Sequence, residues 1–234
     1  MQSTYRDKIN HAFVLNESDL RNVWRKLETY GGNVTATVQF SDKVERKVAC
    51  IEDLVSFENS KKRSILSIEL ESRSDDRDSR TSIEFDNSEY RTITVNATGG
   101  DELVTRVCDE LSEFTCGLKP WYSPISRLDV FWLVYVPFVL AYMIADMMHA
   151  SSSEDIALTF KQSAAAIGIL ALIGVALYIF HKLLSKWKSY LFPIASFAIG
   201  QGVKRYETQD KFRFTAVVGF LVSIAASLFL GFFS

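Results

Sequence analysis

The sequence predicts an α+β domain, with two layers and a mostly antiparallel sheet carrying two helices, followed by an α-helical region of three transmembrane helices. Residues 1–118 support the first part, because they combine alternating apolar and polar runs with two amphipathic stretches. Apolar runs at about 130–148, 164–180 and 214–233 support the second part, since each is close to the ~20 residues that cross a bilayer. We therefore expect a domain at 1–118, an interfacial junction at 119–129 and a membrane domain at 130–234.

The N-terminal domain is predicted to begin with a helix and a half-buried strand. Asn16-Glu-Ser-Asp19 offers capping side chains, Gly31-Gly32 ends the pattern, and residues 34–40 alternate apolar with polar. Residues 44–58 permit either a strand around Val48 or a short helix within 50–57. Apolar residues recur at helical spacing between the caps: Leu20, Val23, Trp24, Leu27 and Tyr30.

Three more strands and a second helix complete the predicted domain. Residues 66–70, 83–85 and 93–97 each alternate, and the charged run 73–80 is typical of a solvated hairpin loop, with a ligand-contact role as the alternative. An apolar stripe after Gly99-Gly100 predicts a helix that ends at Gly117. The sheet is therefore expected to be antiparallel, with both helices packed on it.

Charge and cysteine content exclude some classes of protein. The chain has 26 Lys and Arg against 28 Asp and Glu, so direct nucleic-acid binding is not expected. Cys50, Cys108 and Cys116 are odd in number and lack metal-ligand spacing, which predicts buried free thiols. The first dozen residues lack the apolar core of a secretory signal, which indicates a cytoplasmic N-terminal domain.

Basic residues predict the orientation of the membrane domain. Seven Lys and Arg lie between the second and third apolar runs, whereas only Lys161 lies between the first and second. The positive-inside rule places that basic loop and the N-terminal domain in the cytoplasm. The predicted protein is a multi-pass protein of the cell inner membrane with a periplasmic C-terminus.

Several residues are candidates for roles at the bilayer. Trp121 and Tyr122 are expected to anchor the domain at the headgroup level. Asp146 is either an interfacial carboxylate or part of a carboxylate ring at the mouth of an oligomeric pore. Pro193 lies in the apolar segment 190–200, which is too short to span and is either interfacial or re-entrant, and it is a candidate for the inner mouth.

Small residues in the second and third apolar runs predict a seam of helix packing. Close backbone approach through small side chains is a main route to helix association in a membrane. The seam could join helices of one chain or of a homo-oligomer. Its residues are Ala164, Gly168, Ala171, Ala216, Gly219, Ser223 and Ala226.

No catalytic motif is found in the sequence. It has no Gly-rich phosphate loop, nucleophile elbow, paired histidines on a helix or paired cysteine site. We therefore predict a protein that is not an enzyme, with no catalytic residues, cofactor or metal.

Two segments carry a resemblance to a known family. KPWYSPISRLD at 119–129 and LFPIASFAIGQGVKRYE at 191–207, together with the order of the parts, resemble bacterial anti-phage defence membrane effectors, including retron-associated transmembrane effectors. Some members have two membrane helices where three are predicted here.

The resemblance implies partners as well as an activity. Such effectors are held inactive by a regulatory protein or ribonucleoprotein, which would bind the N-terminal domain as a sensor. Once released, they act as toxins that permeabilise or depolarise the lipid bilayer and cause abortive infection. The alternative is a membrane-tethered binding or scaffold module without pore activity.

Overall fold

The computed structural model describes residues 2–74, 78–149 and 160–233, which contain eight strands and seven helices. The chain divides into two compact units. One unit consists of Met1–Arg127 and Leu191–Ser234, and the other consists of Leu128–Tyr190. The strands are β1 Gln2–Ile9, β2 Phe13–Asn16, β3 Asn33–Phe40, β4 Glu45–Val48, β5 Ile65–Arg73, β6 Arg80–Asp86, β7 Ile93–Gly100 and β8 Ala195–Ala198. The helices are α1 Glu17–Gly31, α2 Ile51–Val55, α3 Asp101–Gly117, α4 Ser123–Arg127, α5 Val130–His149, α6 Phe160–Leu191 and α7 Gln201–Phe233.

A six-stranded sheet in the order β1-β7-β6-β5-β3-β4 organises the first unit, and each neighbouring pair is antiparallel. The alternation predicted for residues 34–40 is observed, since Val34, Ala36, Val38 and Phe40 are buried. Residues 44–58 contain both elements that the sequence allowed, the strand β4 and the short helix α2.

Helices α1 and α3 supply the second layer. Helix α1 begins with a capping box, in which the Asn16 side chain accepts from the Asp19 backbone N–H and the Asp19 side chain accepts from the Asn16 backbone N–H. The buried stripe of α1, which includes Leu20 and Leu27, shares one hydrophobic core with the sheet and with Val107 and Leu111 of α3. Burial of each such leucine stabilises the fold by roughly 1.5–3 kcal/mol.

A second sheet connects the C-terminal segment to this core. Strand β8 pairs with β2 in parallel, from Phe13 opposite Ala195 to Asn16 opposite Ala198. The Phe13 ring lies 5.5 Å from the rings of both Phe85 and Phe197. The segment 190–200 therefore contributes a strand that is packed on the protein core.

The predicted three-helix membrane region is wrong. None of the helices in the described residues is both long enough and apolar enough to cross a membrane. Two of the apolar runs belong to longer helices with charged turns, because α6 continues through Lys182 to Lys188 and α7 begins with the charged stretch 204–213. The fold class is an α+β fold with a large antiparallel sheet and seven helices. The predicted multi-pass inner-membrane localisation, with a cytoplasmic N-terminal domain and a periplasmic C-terminus, is overturned by the same finding.

The second unit contains α5 and most of α6. Its aromatic residues form a small cluster, in which Phe131 stacks on Tyr135 with ring centroids 4.5 Å apart and His181 lies 5.8 Å from Tyr135. The Lys188 ammonium donates to the Leu128 carbonyl at 2.6 Å. These contacts hold the start of α5 against the C-terminal part of α6.

Candidate functional site

A cleft of about 680 Å³ lies in the first unit, beside the loop that joins α2 to β5. One wall is the loop from Ser56 to Arg63, and the other is formed by Phe40, Asp42 and Arg46 at the β3–β4 turn. Its volume falls within the ~300–1,000 Å³ of typical small-ligand sites. The cleft is therefore large enough for a small molecule or a short peptide segment.

Arg46 lies over two aromatic rings in this cleft. Its guanidinium carbon is 5.6 Å from the Phe40 ring centroid and 5.7 Å from that of Phe57, and the two rings meet edge to face at 5.3 Å. No carboxylate in the described part of the chain forms an ion pair with Arg46. The guanidinium is thus held in place by the rings while its hydrogen-bonding capacity remains open to a ligand.

The other charges of the cleft leave a slight excess of positive charge. Arg63 Nε and Asp42 Oδ2 form an ion pair at 2.7 Å, so these two charges largely offset each other. Arg46 and Lys62 then face a single further carboxylate, that of Glu58, among the lining residues. This balance favours a ligand with an acidic group.

Asn59 holds the back of the same loop. Its side chain is buried, with 2% of its surface exposed, and its Nδ2 donates to the Phe197 carbonyl at 2.8 Å and the Ile199 carbonyl at 3.4 Å. Its Oδ1 accepts from the Ile65 backbone N–H at 2.9 Å and from Arg205 Nη2 at 3.0 Å. The amide therefore joins the cleft loop to β8, β5 and α7 at once.

Two glycines allow the start of α7 to approach this loop. Gly200 has φ +53°, and a Cβ there would lie 2.5 Å from the Phe57 carbonyl oxygen. A Cβ at Gly202 would lie 2.2 Å from the Phe197 carbonyl oxygen and 2.4 Å from Asn59 Nδ2. The backbone N–H of Gln201 donates to the Glu58 carbonyl at 2.7 Å. Residues 57–59 thus form part of the cleft wall and also fix the first turn of α7.

A buried arginine secures the middle of α7. Arg213 is 1% exposed, and its guanidinium carbon lies 4.3 Å from the Tyr122 ring centroid and 5.3 Å from that of Tyr206. It donates to the Leu191 carbonyl at 2.7 Å and to Asp210 Oδ1 at 3.0 Å. Burial raises the pKa of Tyr122 to about 12. Tyr122, which the sequence suggested as an interfacial anchor, is fully buried in this cluster, whereas Trp121 is exposed.

The residues predicted for a seam or a pore are not brought together within either unit. Among the residues that the structure describes, nothing lies within 4 Å of a Cβ built at Gly168 or Gly219. The remaining seam residues with described side chains are exposed on α6 or α7: Ala171, Ala216, Ser223 and Ala226. Asp146 lies in α5 and Ala164 in α6, but their side chains are outside the described structure. Pro193 lines a small cavity together with Arg205. The oligomer seam and the pore mouth stay predictions.

Sequence reasoning missed the cleft, because Arg46 and Asn59 belong to no motif. The only signal was the cluster of polar and basic residues at 58–63, which follows the segment of ambiguous structure. Within residues 2–74, 78–149 and 160–233, no group of three or more His, Cys, Asp or Glu side chains could hold a metal ion. The thiols of Cys50 and Cys116 are free but exposed, so their predicted burial is wrong.

The chain has no match among protein-family models, curated proteins or solved structures. The resemblance to anti-phage effectors therefore stays a prediction based on two segments and the order of the parts.

Proposed function

We propose that the unit formed by residues 1–127 and 191–234 is a binding module that takes up a ligand with apolar and acidic parts and signals its occupancy through α7. One observation carries this proposal: residues 57–59 line the cleft and also hold the first turn of α7. The sequence suggested a membrane-tethered binding module as its alternative function. The present proposal keeps the binding module and drops the membrane tether. Membrane permeabilisation is no part of it, because the spans it required are not found in the described helices.

The chemistry of the cleft supports a mixed ligand. The half-buried Phe57 ring can contact an apolar or planar group, while Arg46 offers a planar fork of donors to a carboxylate or phosphate. Since Arg46 is already positioned on the rings, less side-chain entropy is lost when it binds an anion. Lys62 adds a second cation at the rim.

The hydrogen bond made by Ser56 at the cleft favours binding over catalysis. The Ser56 hydroxyl donates to the Asp53 carbonyl at 2.8 Å, so it caps the end of α2. Among the described residues, no histidine or cysteine lines the cleft to activate a nucleophile or transfer a proton. The proposed module therefore needs no reaction at this site.

A change in the cleft loop should reach α7, because residues 57 and 58 pack closely against the start of that helix. A ligand that moves Phe57 or Glu58 displaces the backbone atoms against which Gly200 and Gln201 rest. The tight glycine contacts leave little space to absorb that movement. Occupancy of the cleft should therefore change the exchange rate of the Gln201 amide hydrogen, which reports on its bond to Glu58. The family resemblance implies a regulatory partner and a homo-oligomer, and both stay proposals. Coupling between the cleft and α7 would let a bound ligand affect either of them.

The test uses 1-naphthoate as a probe, since it combines an apolar ring system with one carboxylate. Protein-observed NMR should show saturable shifts at residues 42–63 and altered hydrogen exchange at the Gln201 amide. Arg46→Ala should weaken naphthoate binding at least tenfold. Lys47→Ala is the matched control, because the neighbouring residue of β4 points to the other face of the sheet and does not line the cleft.

Two results would contradict the proposed function. Naphthoate affinity that is equal in wild type and Arg46→Ala would show that the cleft is not the binding site. Saturated binding in the cleft with unchanged exchange at Gln201 would show that the cleft does not act on α7.

A further inference from the structure

A second and smaller cavity, of about 110 Å³, lies between β8 and the first turns of α7. Four of its lining residues have polar side chains: Ser196, Arg205, Tyr206 and Gln209. The rest of its lining is apolar or glycine, and it is separate from the lining of the larger cleft. We refer to it as the Arg205 cavity.

Arg205 carries a charge without a counter-ion in this half-buried position. Its Nη2 donates to the neutral Oδ1 of Asn59, and no carboxylate among the described residues forms an ion pair with it. Arg213, farther along the same helix, does have such a partner in Asp210. Partial burial lowers the pKa of Arg205, because desolvation disfavours its charged form. An anion beside this partly buried cation would favour the charged form.

The composition and size of the cavity suit a small anion. No carboxylate of the described residues lines it, so the described wall carries no negative charge that would repel an anion. A liquid water occupies about 30 Å³, so the cavity holds roughly three waters or one tetrahedral oxyanion. Arg205 has five N–H donors, and within the described part of the chain one of its nitrogens, Nη2, has a hydrogen-bond partner. The free donors form the planar fork that binds oxyanions in a bidentate manner.

We propose that the Arg205 cavity binds an oxyanion of the phosphate class, either free phosphate or the terminal phosphate of a larger molecule. Arg205 supplies the charge, and Ser196, Tyr206 and Gln209 supply neutral donors around it. Because Arg205 also binds Asn59, the bound anion is connected to the amide that fixes the cleft loop and β8. This proposal does not depend on the ligand of the larger cleft.

The experiment measures binding of inorganic phosphate to the full chain by isothermal titration and by ³¹P line broadening, with ionic strength kept constant by NaCl. Wild type should bind phosphate saturably, and its melting temperature should rise with phosphate but not with added chloride. Arg205→Met keeps the apolar stem and should weaken phosphate binding at least tenfold. Lys204→Met is the matched control, since this neighbouring lysine is exposed and does not line the cavity. Methyl phosphate distinguishes the two sources: binding as tight as that of phosphate favours a phosphate ester, and much weaker binding favours the free ion.

A second variant covers the possibility that Arg205→Met fails to fold. Gln209 lies on the partly exposed side of α7, so Gln209→Leu should keep the fold. Because Gln209 lines the cavity, this variant should weaken phosphate binding several-fold. The proposal is overturned if wild type does not bind phosphate at millimolar concentration, or if neither variant lowers the affinity. Loss of phosphate binding in Arg46→Ala, with Arg205→Met unaffected, would place the anion in the larger cleft and also overturn it. Failure of naphthoate to bind the cleft would leave these phosphate results unaffected, so the two proposals fail separately.

Discussion

Gly202→Ala tests the joint between the cleft loop and α7 most directly. The new Cβ would lie 2.2 Å from the Phe197 carbonyl oxygen and 2.4 Å from Asn59 Nδ2, both far inside van der Waals contact. The two atoms are themselves joined by a buried hydrogen bond of 2.8 Å. The methyl group can therefore be accommodated only if this bond is broken or the first turn of α7 moves away.

The expected cost follows from these contacts. Forcing a methyl group into a packed site costs about 1–3 kcal/mol. Loss of the buried Asn59 bond leaves a carbonyl without its donor, at a cost of about 1–3 kcal/mol. Alanine regains up to about 1 kcal/mol through its higher helix propensity. The free energy of unfolding should therefore fall by about 3 kcal/mol, which for a chain of this size lowers the melting temperature by roughly 6–12 °C.

The assay is urea unfolding followed by circular dichroism and by the fluorescence of tryptophan, including Trp24, which is buried in the core. Gly219→Ala is the matched control in the same helix, because no described residue comes within 4 Å of a Cβ there. It should stabilise the protein by up to about 1 kcal/mol. The reasoning is refuted if Gly202→Ala unfolds within about 0.5 kcal/mol of wild type, the usual range for neutral surface changes.

Three further predictions concern contacts outside that joint. Arg213→Met removes the buried hydrogen bonds and ring contacts of the guanidinium and should lower the free energy of unfolding by about 3 kcal/mol in urea titration; an unchanged value would show that the cluster adds no stability. Ser123→Ala leaves the buried backbone N–H of Ala12 without its acceptor and should cost about 1–3 kcal/mol by the same method, so a neutral result would require another acceptor for that N–H. The hydrogen bond from Arg106 to Glu110 is the main cause that holds the pKa of this carboxyl at about 2, below its ordinary 4.5. The ionised Glu110 carboxylate therefore stabilises the fold above its ordinary pKa, and this stability is lost as pH falls through its lowered pKa. Glu110→Gln should be less stable than wild type at pH 6, and the difference in the free energy of unfolding should close toward pH 2. A difference that does not vary with pH would contradict this.

Local sequence patterns were sufficient for much of the α+β fold. The capping side chain of Asn16 and the apolar spacing from Leu20 to Tyr30 predicted α1, because these signals act within one or two helical turns. Alternation within 66–70 and 93–97 likewise predicted the strands β5 and β7. Ile68 and Leu70 are buried as the alternation predicted, whereas Leu66 is exposed and Ser67 is buried. Strand β1 was not predicted, because Gln2–Ile9 has few apolar residues and is held by backbone pairing with β7.

Features that depend on distant contacts could not be predicted. The segment 195–198 is apolar, and the sequence alone did not show that β2 would pair with it. The three apolar runs predicted membrane spans on composition, whereas length and apolarity across each described helix do not meet that requirement. The hydrogen bond between Arg205 and Asn59 joins residues 146 positions apart, and no local pattern around either residue indicates this contact.

The pairing of β2 with β8 also determines when this unit can finish folding. Phe13 and Leu15 are synthesised well before their partner strand, which begins at Ala195. Synthesis proceeds at about 5–20 residues per second, so for many seconds these apolar side chains have no partner strand on the ribosome. The antiparallel sheet from β3 to β7 can form during this interval from neighbouring segments, whereas closure of the core around Phe13 must wait until β8 has been synthesised. Folding of this unit is therefore completed after translation of β8, and truncation before Ala195 leaves a nascent chain with part of its core exposed.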